Sequence, residues 1–394
     1  MKRTVWALAA ACALLPAAAA AQDRVYVRAE PGTPVVVVEV LVGAGPADEL
    51  PEQAGIAYLT ARAVVEPARP LLDSLGARLA VDQHKDAVSF RLTAAPDVWA
   101  EASQALLMAL FRDPVDSVAT ARVRRALVRE LEAREASPAD ALARELEKAV
   151  FGELHPWGRP AVGSAQSVAR LGVREVDGFL RATFTPERSV VAVVGPVEPG
   201  EVLDRLGPHL GDGGLRVTPP LPPEPVAEPV VVDYNAITTW VSASWRFGED
   251  ADVEALRMLS RLALQQLSFG PSRRGVYNSR AEVVRYAGGG ELRLHLVVAP
   301  REAEQWAERL RQAVQSHADQ PLPPQVFGER LRRFRGERLL ELASPEARAV
   351  AMARAALLGD RTATLADFQG LTAARLREAA ASLDAPVLVF LGPQ

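Results

Sequence analysis

Ala136-Ser137-Pro138 returns as Ala343-Ser344-Pro345, and Trp99-Ala100-Glu101 returns as Trp306-Ala307-Glu308, both 207 residues later. Two separate anchors at one offset mark a duplication. The stretch between them agrees, because Arg124-Arg125 to Glu130 falls on Leu331-Arg332 to Glu337. A period of this length is a whole domain, far beyond the repeats of solenoids. The chain therefore reads as two tandem copies of one domain, facing each other around a space.

Outward from the anchors, both copies show the same order of elements. In the first, Pro34 to Leu41 (PVVVVEVL) is a β-branched strand and Pro51 to Val65 has helical composition. Arg78 to Val81 and Ala87 to Leu92 read as a hairpin, Asp97 to Phe111 and Asp116 to Ala136 as long helices, and Pro186 to Gly195 as a closing strand. In the second copy a strand at Thr238 to Phe247 and a helix at Asp250 to Leu267 come first. Strands at Val276 to Arg285 and Glu291 to Ala299 follow, then helices at Glu302 to His317 and Gln325 to Leu342, and a last strand at Pro386 to Leu391. The expected class is α+β: two homologous lobes, each a mixed or antiparallel sheet with helices on one face. The proline-rich Val217 to Glu228 (VTPPLPPEPVAE) fits neither helix nor inner strand and reads as an extended linker. This gives a leader at 1–21, an N-terminal lobe at 22–214, a linker at 215–229 and a C-terminal lobe at 230–394.

Lys2 and Arg3, the apolar run Val5 to Leu15 and the small residues Ala17 to Ala21 fit a secretory signal peptide. No later apolar run is long enough to span a bilayer. The expected location is the periplasm or the exterior. The only cysteine, Cys12, lies in this leader, and Ala9-Ala10-Ala11 before it makes a poor lipoprotein signal. The mature chain thus has no thiol, which excludes disulfides, cysteine nucleophiles and thiolate metal sites. Its lysines are only Lys85 and Lys148 against a large arginine excess, and its formal net charge is −6 once Lys2 and Arg3 are removed. This mild acidity argues against nucleic acid as a partner.

The chemistry-bearing residues are scattered. No two of His84, His155, His209, His295 and His317 share a helical face. His84 falls at a hairpin tip, His155 in a loop before Pro156, His209 at a helix end and His317 near a helix C-terminus, where a cation is favoured. There is no G-x-S-x-G elbow. Gly288-Gly289-Gly290 precedes a strand and suits a hairpin turn better than phosphate binding. The arginine-dense helices Arg122 to Arg134 and Arg330 to Arg338 interleave with glutamates, as solvated or interlobe faces do.

Five phrases, in order and spacing, resemble the insulinase or pitrilysin family of inverted-motif zinc peptidases, which includes mitochondrial processing peptidase. They are Glu52 to Ala57 (EQAGIA), Leu75 to Ala80 (LGARLA), Phe151 to Pro160 (FGELHPWGRP), Gly163, and Phe184 to Gly195 (FTPERSVVAVVG). In active members, Gly-x-Ala is followed by H-x-x-E-H, whose histidines bind zinc and whose glutamate activates water. Here Gly55-Ile56-Ala57 is followed by Tyr58-Leu59-Thr60-Ala61-Arg62. Tyr58 and Arg62 stand at the histidine positions and Ala61 at that of the general base. Alanine accepts no proton and a guanidinium offers no lone pair, so neither catalysis nor a bound metal is expected. The family's remaining ligand is matched by Glu130 in LVREL, and the resemblance implies that Arg62 takes the vacated cation position and pairs with it. In the second lobe, Ser268 to Tyr277 (SFGPSRRGVY) resembles the region that supplies a substrate-binding arginine and tyrosine. Tyr277 is the tyrosine match and Arg273 or Arg274 the arginine.

What the resemblance implies is a non-catalytic subunit of an exported zinc peptidase, without cofactor. It would bind peptide and complete the chamber of a zinc-bearing partner that carries H-x-x-E-H. Two rival expectations stand beside it. One is a structural or assembly homo-oligomer without peptide handling, and the other is an active metallopeptidase with a rebuilt site.

Overall fold

A computed structural model describes residues 24–211, 222–268, 275–359 and 370–393. The first lobe contains β1 (Val25–Ala29), β2 (Val36–Val42), α1 (Ile56–Val65), α2 (Arg69–Ser74), β3 (Arg78–Gln83), β4 (Val88–Ala94), α3 (Trp99–Phe111), α4 (Ser117–Glu135), α5 (Pro138–Phe151), α6 (Ala165–Ala169), α7 (Val173–Thr183), β5 (Ser189–Gly195) and α8 (Pro199–Leu206). The second contains β6 (Val230–Asp233), β7 (Thr239–Gly248), α9 (Val253–Ser268), β8 (Val276–Tyr286), β9 (Gly289–Val298), α10 (Ala303–Asp319), α11 (Pro324–Glu341), α12 (Pro345–Leu357), α13 (Ala373–Ala381) and β10 (Val387–Gly392). The strand orders are β1-β5-β2-β4-β3 and β6-β10-β7-β9-β8. Among the described residues only the short edge strands β1 and β6 pair in parallel, so both sheets are mixed and share one topology, as the duplication requires.

The alternation of strand side chains decides what each sheet face does. Val36, Val38, Val40 and Val42 of β2 point into the first lobe's own helical layer, with Trp99 of α3 among them. Val241, Ala243, Trp245 and Phe247 of β7 do the same in the second lobe, where Trp306 is the counterpart. The repeated tryptophans are therefore equivalent core residues.

The opposite faces are covered crosswise. Helix α5, from the first lobe, lies on β10 and β7 of the second, where Leu142, Leu146, Val150 and Phe151 pack against Val387, Val389 and Leu391. Helix α12, from the second lobe, lies on β5 and β2 of the first, with Ala349, Ala353, Ala356 and Leu357 against Val37, Leu41, Val190 and Ala192. The repeated Ala-Ser-Pro is the start of each crossing helix. Ser137 and Ser344 occupy the N-cap with extended backbone, and Pro138 and Pro345 take the first helical position, where no amide hydrogen is needed. Sequence pattern led us to expect helices on one face of each sheet, and each lobe's own layer obeys this. The exchanged helices were not anticipated: no helix was read at 138–151 or 345–357, and amphipathic spacing in any case does not say what covers a helix.

Polar contacts fasten the exchange. The β3–β4 turn carries Lys85 and Asp86, both buried. The Lys85 ammonium lies 3.0 Å from Glu147 of α5, donates to the carbonyl of Trp157 at 2.7 Å and sits 5.0 Å over the Phe151 ring. Burial pushes its pKa down, with Glu147 opposing. Arg293 of β9 pairs with the fully buried Glu291 at 2.7 Å and stands 3.9 Å from Glu147. Asp86 accepts from Arg354 of α12 at 2.6 Å and from the backbone amide of Ala287 in the second lobe at 3.0 Å. Arg348 of α12 reaches Glu30 at 2.5 Å.

Several expectations shift in detail. The region from Pro51 opens as a short 3-10 turn, Pro51–Gln53, before α1 begins at Ile56. Gly288 and Gly289 do form the β8–β9 turn, both with positive φ. The leader 1–21 with Cys12 lies outside the described residues, as does the first part of the linker; residues 222–228 carry no helix or strand. Among the described residues no helix is long and apolar enough to cross a membrane.

Candidate functional site

Helix α1 starts where two glycines meet. Gly55 has φ +90°, and a Cβ there would stand 2.5 Å from the Val162 carbonyl oxygen; Gly163 has φ +74°, and a Cβ there would stand 2.4 Å from the Ala54 carbonyl oxygen. Only glycine fits either position. Glu49 caps the helix from outside, its carboxylate accepting from the amides of Gly55 at 2.9 Å and Ala57 at 3.0 Å. Burial pushes the Glu49 carboxyl up to about 7, against the pull of those two donors.

Along α1, Ile56, Ala57, Leu59 and Ala61 are completely buried in the first lobe's core. Tyr58 and Arg62, one turn apart, lie at the margin of that core, Tyr58 half-buried and packed against it. The Arg62 guanidinium donates to Glu130 of α4 at 2.6 Å, with Arg62 one-quarter exposed, and lies 5.4 Å from the Tyr58 ring centroid. Burial disfavours its charge, but the hydrogen bonds to Glu130 and the Tyr58 hydroxyl prevail and raise its pKa. Burial also raises the pKa of Tyr58, opposed by the Arg62 charge. Three of the four residues singled out in the first lobe, Tyr58, Arg62 and Glu130, thus form one cluster, and the Arg62–Glu130 pair is present as expected. Ala61 is not in the cluster, because its side of the helix packs into the core.

The cluster offers a fixed cation, a phenol and a half-exposed carboxylate. It holds no pair of neutral nitrogen donors of the kind a histidine zinc site uses. Among the described residues no group of three or more His, Cys, Asp or Glu is placed to hold a metal ion. The opposite face of the sheet carries a separate polar group. Glu39 of β2, fully buried, accepts from Ser89 and, at 3.1 Å, from Arg91 of β4; Arg91 also reaches Asp82 of edge strand β3 at 3.6 Å.

Tyr277 lies elsewhere. It is the extra residue of a β-bulge at the start of edge strand β8, between Val276 and Asn278, and is 67% exposed. A bulge re-aims a side chain and interrupts pairing, which suits a contact residue. Arg273 and Arg274 lie outside the described residues.

Two of the histidines, His155 and His295, have local polar partners. His155 accepts from the Trp157 amide at 3.1 Å and stacks on Phe151. His295 sits 2.9 Å from the Ser242 hydroxyl and 3.6 Å from Glu282. His84 is at the hairpin tip as expected, but that tip is wedged between the lobes, and burial together with Arg354 brings its pKa to about 4. His317 corrects the expectation of a favoured cation at a helix end, since burial pushes its pKa down. Sequence reading missed Asp86, Glu147 and Arg354 entirely. It noticed Lys85 only as a rare lysine, and that rarity was the available signal.

No family model matches the chain. Uncharacterized zinc proteases of Mycobacterium bovis and Mycobacterium tuberculosis are 37% identical to it over 97 residues, a match covering 25% of this chain and 22% of the length of either relative. The chain thus spans less than a quarter of those relatives. Among solved structures, the inactive domain of a peptidase M16 from Pseudomonas fluorescens superposes with a TM-score of 0.81 at 17% identity, covering 94% of this chain and 96% of that one. A chain of Complex III2 from Candida albicans superposes with a TM-score of 0.76 at 15% identity over 93% of both chains. The fold is that of M16-like peptidases, and the insulinase-like resemblance read from the motifs is borne out.

Proposed function

We propose that this chain is a non-catalytic, insulinase-like subunit that is exported by its leader, binds extended peptide and completes the chamber of a zinc-bearing partner. The carrying observation is the Tyr58–Arg62–Glu130 cluster at the start of an otherwise complete lobe, with Ala61 packed into the core. A chain in this state supplies walls and contacts, and the metal and the general base must come from a partner with H-x-x-E-H. Peptide adds as a strand to the open edge of β3, next to Asp82 and the cluster, while Tyr277 contacts it from the second lobe. Main-chain pairing of this kind accepts varied sequences.

The test is to purify the chain alone and with such a partner, and to measure zinc content and peptide cleavage. Activity confined to the mixture and reduced by Tyr277→Ala or Arg274→Ala supports the proposal. Failure to form a complex, or stoichiometric zinc with chelator-sensitive cleavage in the chain alone, sinks it. The similarity to a Complex III2 chain favours a second reading, a structural homo-oligomer. A complex with the partner that leaves peptide affinity unchanged on Tyr277→Ala would select it.

A further inference from the structure

Seating α12 on the first lobe's sheet leaves space between that helix and the body of its own lobe. The space is a cavity of about 790 Å³, within the range of small-molecule sites. One wall is the small-residue side of α12, formed by Ala347, Ala351 and Ala355; the others come from the start of α9, the end of α11, β8 and the first lobe's β3–β4 turn. Seven lysine or arginine side chains line it against three carboxylates, Glu147, Asp252 and Glu254.

At the start of α9, Arg257 and Arg338 both lean on Glu254, with Arg338 Nε at 3.4 Å from that carboxylate, and Arg338 also pairs with Glu341 of α11. Burial and the charge of Arg338 outweigh Glu254 and hold the pKa of Arg257 below its ordinary value. Asp252 is already committed, capping the Ala255 amide at 3.1 Å and receiving Arg375 at 2.6 and 3.0 Å. The N-terminal end of the sixteen-residue α9 also opens here and adds its positive dipole.

We propose that this cavity binds a small multivalent oxyanion, held by the guanidinium groups of Arg257 and Arg338 at the N-terminus of α9. The planar guanidinium fork matches phosphate and carboxylate alike. A bound oxyanion bridges α9 and α11, so binding also stabilises the second lobe.

The experiment is calorimetric titration of the full chain with pyrophosphate and, separately, citrate, at low and high salt. Saturable one-to-one binding of at least one anion is expected, weakened by salt, and the preferred anion identifies the ligand as phosphate-bearing or carboxylate. The double variant Arg257→Gln, Arg338→Gln should weaken binding at least about tenfold, since each charge-assisted hydrogen bond contributes that order of affinity. Ala351→Leu narrows the cavity without touching a charge and should weaken binding while an unchanged thermal melt shows that the chain is folded. Arg301→Gln, on the exposed surface, should leave it unchanged. No saturable binding of either anion, or undiminished binding in Ala351→Leu, would overturn the proposal.

Discussion

Truncating Leu146 to alanine should weaken the lobe to which Leu146 does not belong in sequence. The side chain is fully buried on α5 and packs in the cluster with Val387, Val389 and Leu391 of β10. Losing a buried leucine costs about 2–5 kcal/mol, from lost transfer energy plus the cavity left behind. For a cooperative unit of about 200 residues, 3 kcal/mol lowers the melting temperature by roughly 6–12 °C. The informative quantity is where the protection is lost. Amide hydrogen exchange followed by mass spectrometry should show faster exchange in β10 and β7, with β2 and β5 much less affected. The mirror variant Leu357→Ala, on α12, should loosen β5 and β2 of the first lobe. If each variant instead loosened its own lobe and left the opposite sheet protected, the helix exchange would not carry the stability assigned to it.

Other outcomes follow from single features. Folding raises the Glu49 carboxyl from an ordinary 4.5 to about 7, so the folded state holds the proton more tightly; the stability this contributes is complete below about pH 4.5 and lost as pH rises through 7, at most about 3 kcal/mol. Denaturant titrations at acidic and neutral pH should show that loss, and Glu49→Gln should flatten it. Gly55→Ala should cost more than about 1 kcal/mol in chemical denaturation, because its positive φ and the Val162 carbonyl both exclude a methyl group. Arg62→Ala should change stability by less than about 1 kcal/mol, since the pair with Glu130 is partly exposed, so any large effect must appear in peptide binding. The double variant Tyr58→His, Arg62→His should retain one zinc per chain through gel filtration, and adding Glu130→Ala should release it; zinc retained without Glu130 would show that the three positions do not form the emptied site.

Much of this molecule is determined by sequence alone. The 207-residue offset, the β-branched runs and the amphipathic stretches fix two copies of one α+β lobe, because strand and helix periods are local properties of the chain. The reading of Tyr58, Ala61 and Arg62 is equally local, since alanine accepts no proton and a guanidinium offers no lone pair to a metal. Two further matters were decided only by tertiary structure. Helices α5 and α12 were not read from the sequence, and which sheet covers each depends on the packing of the whole: each goes to the opposite lobe. The polar contacts that follow, Lys85 with Glu147 and Asp86 with Arg354, join residues 62 and 268 positions apart, and no spacing rule links them. The arginine-lined cavity has the same origin, because it exists only where a crossing helix leaves its own lobe.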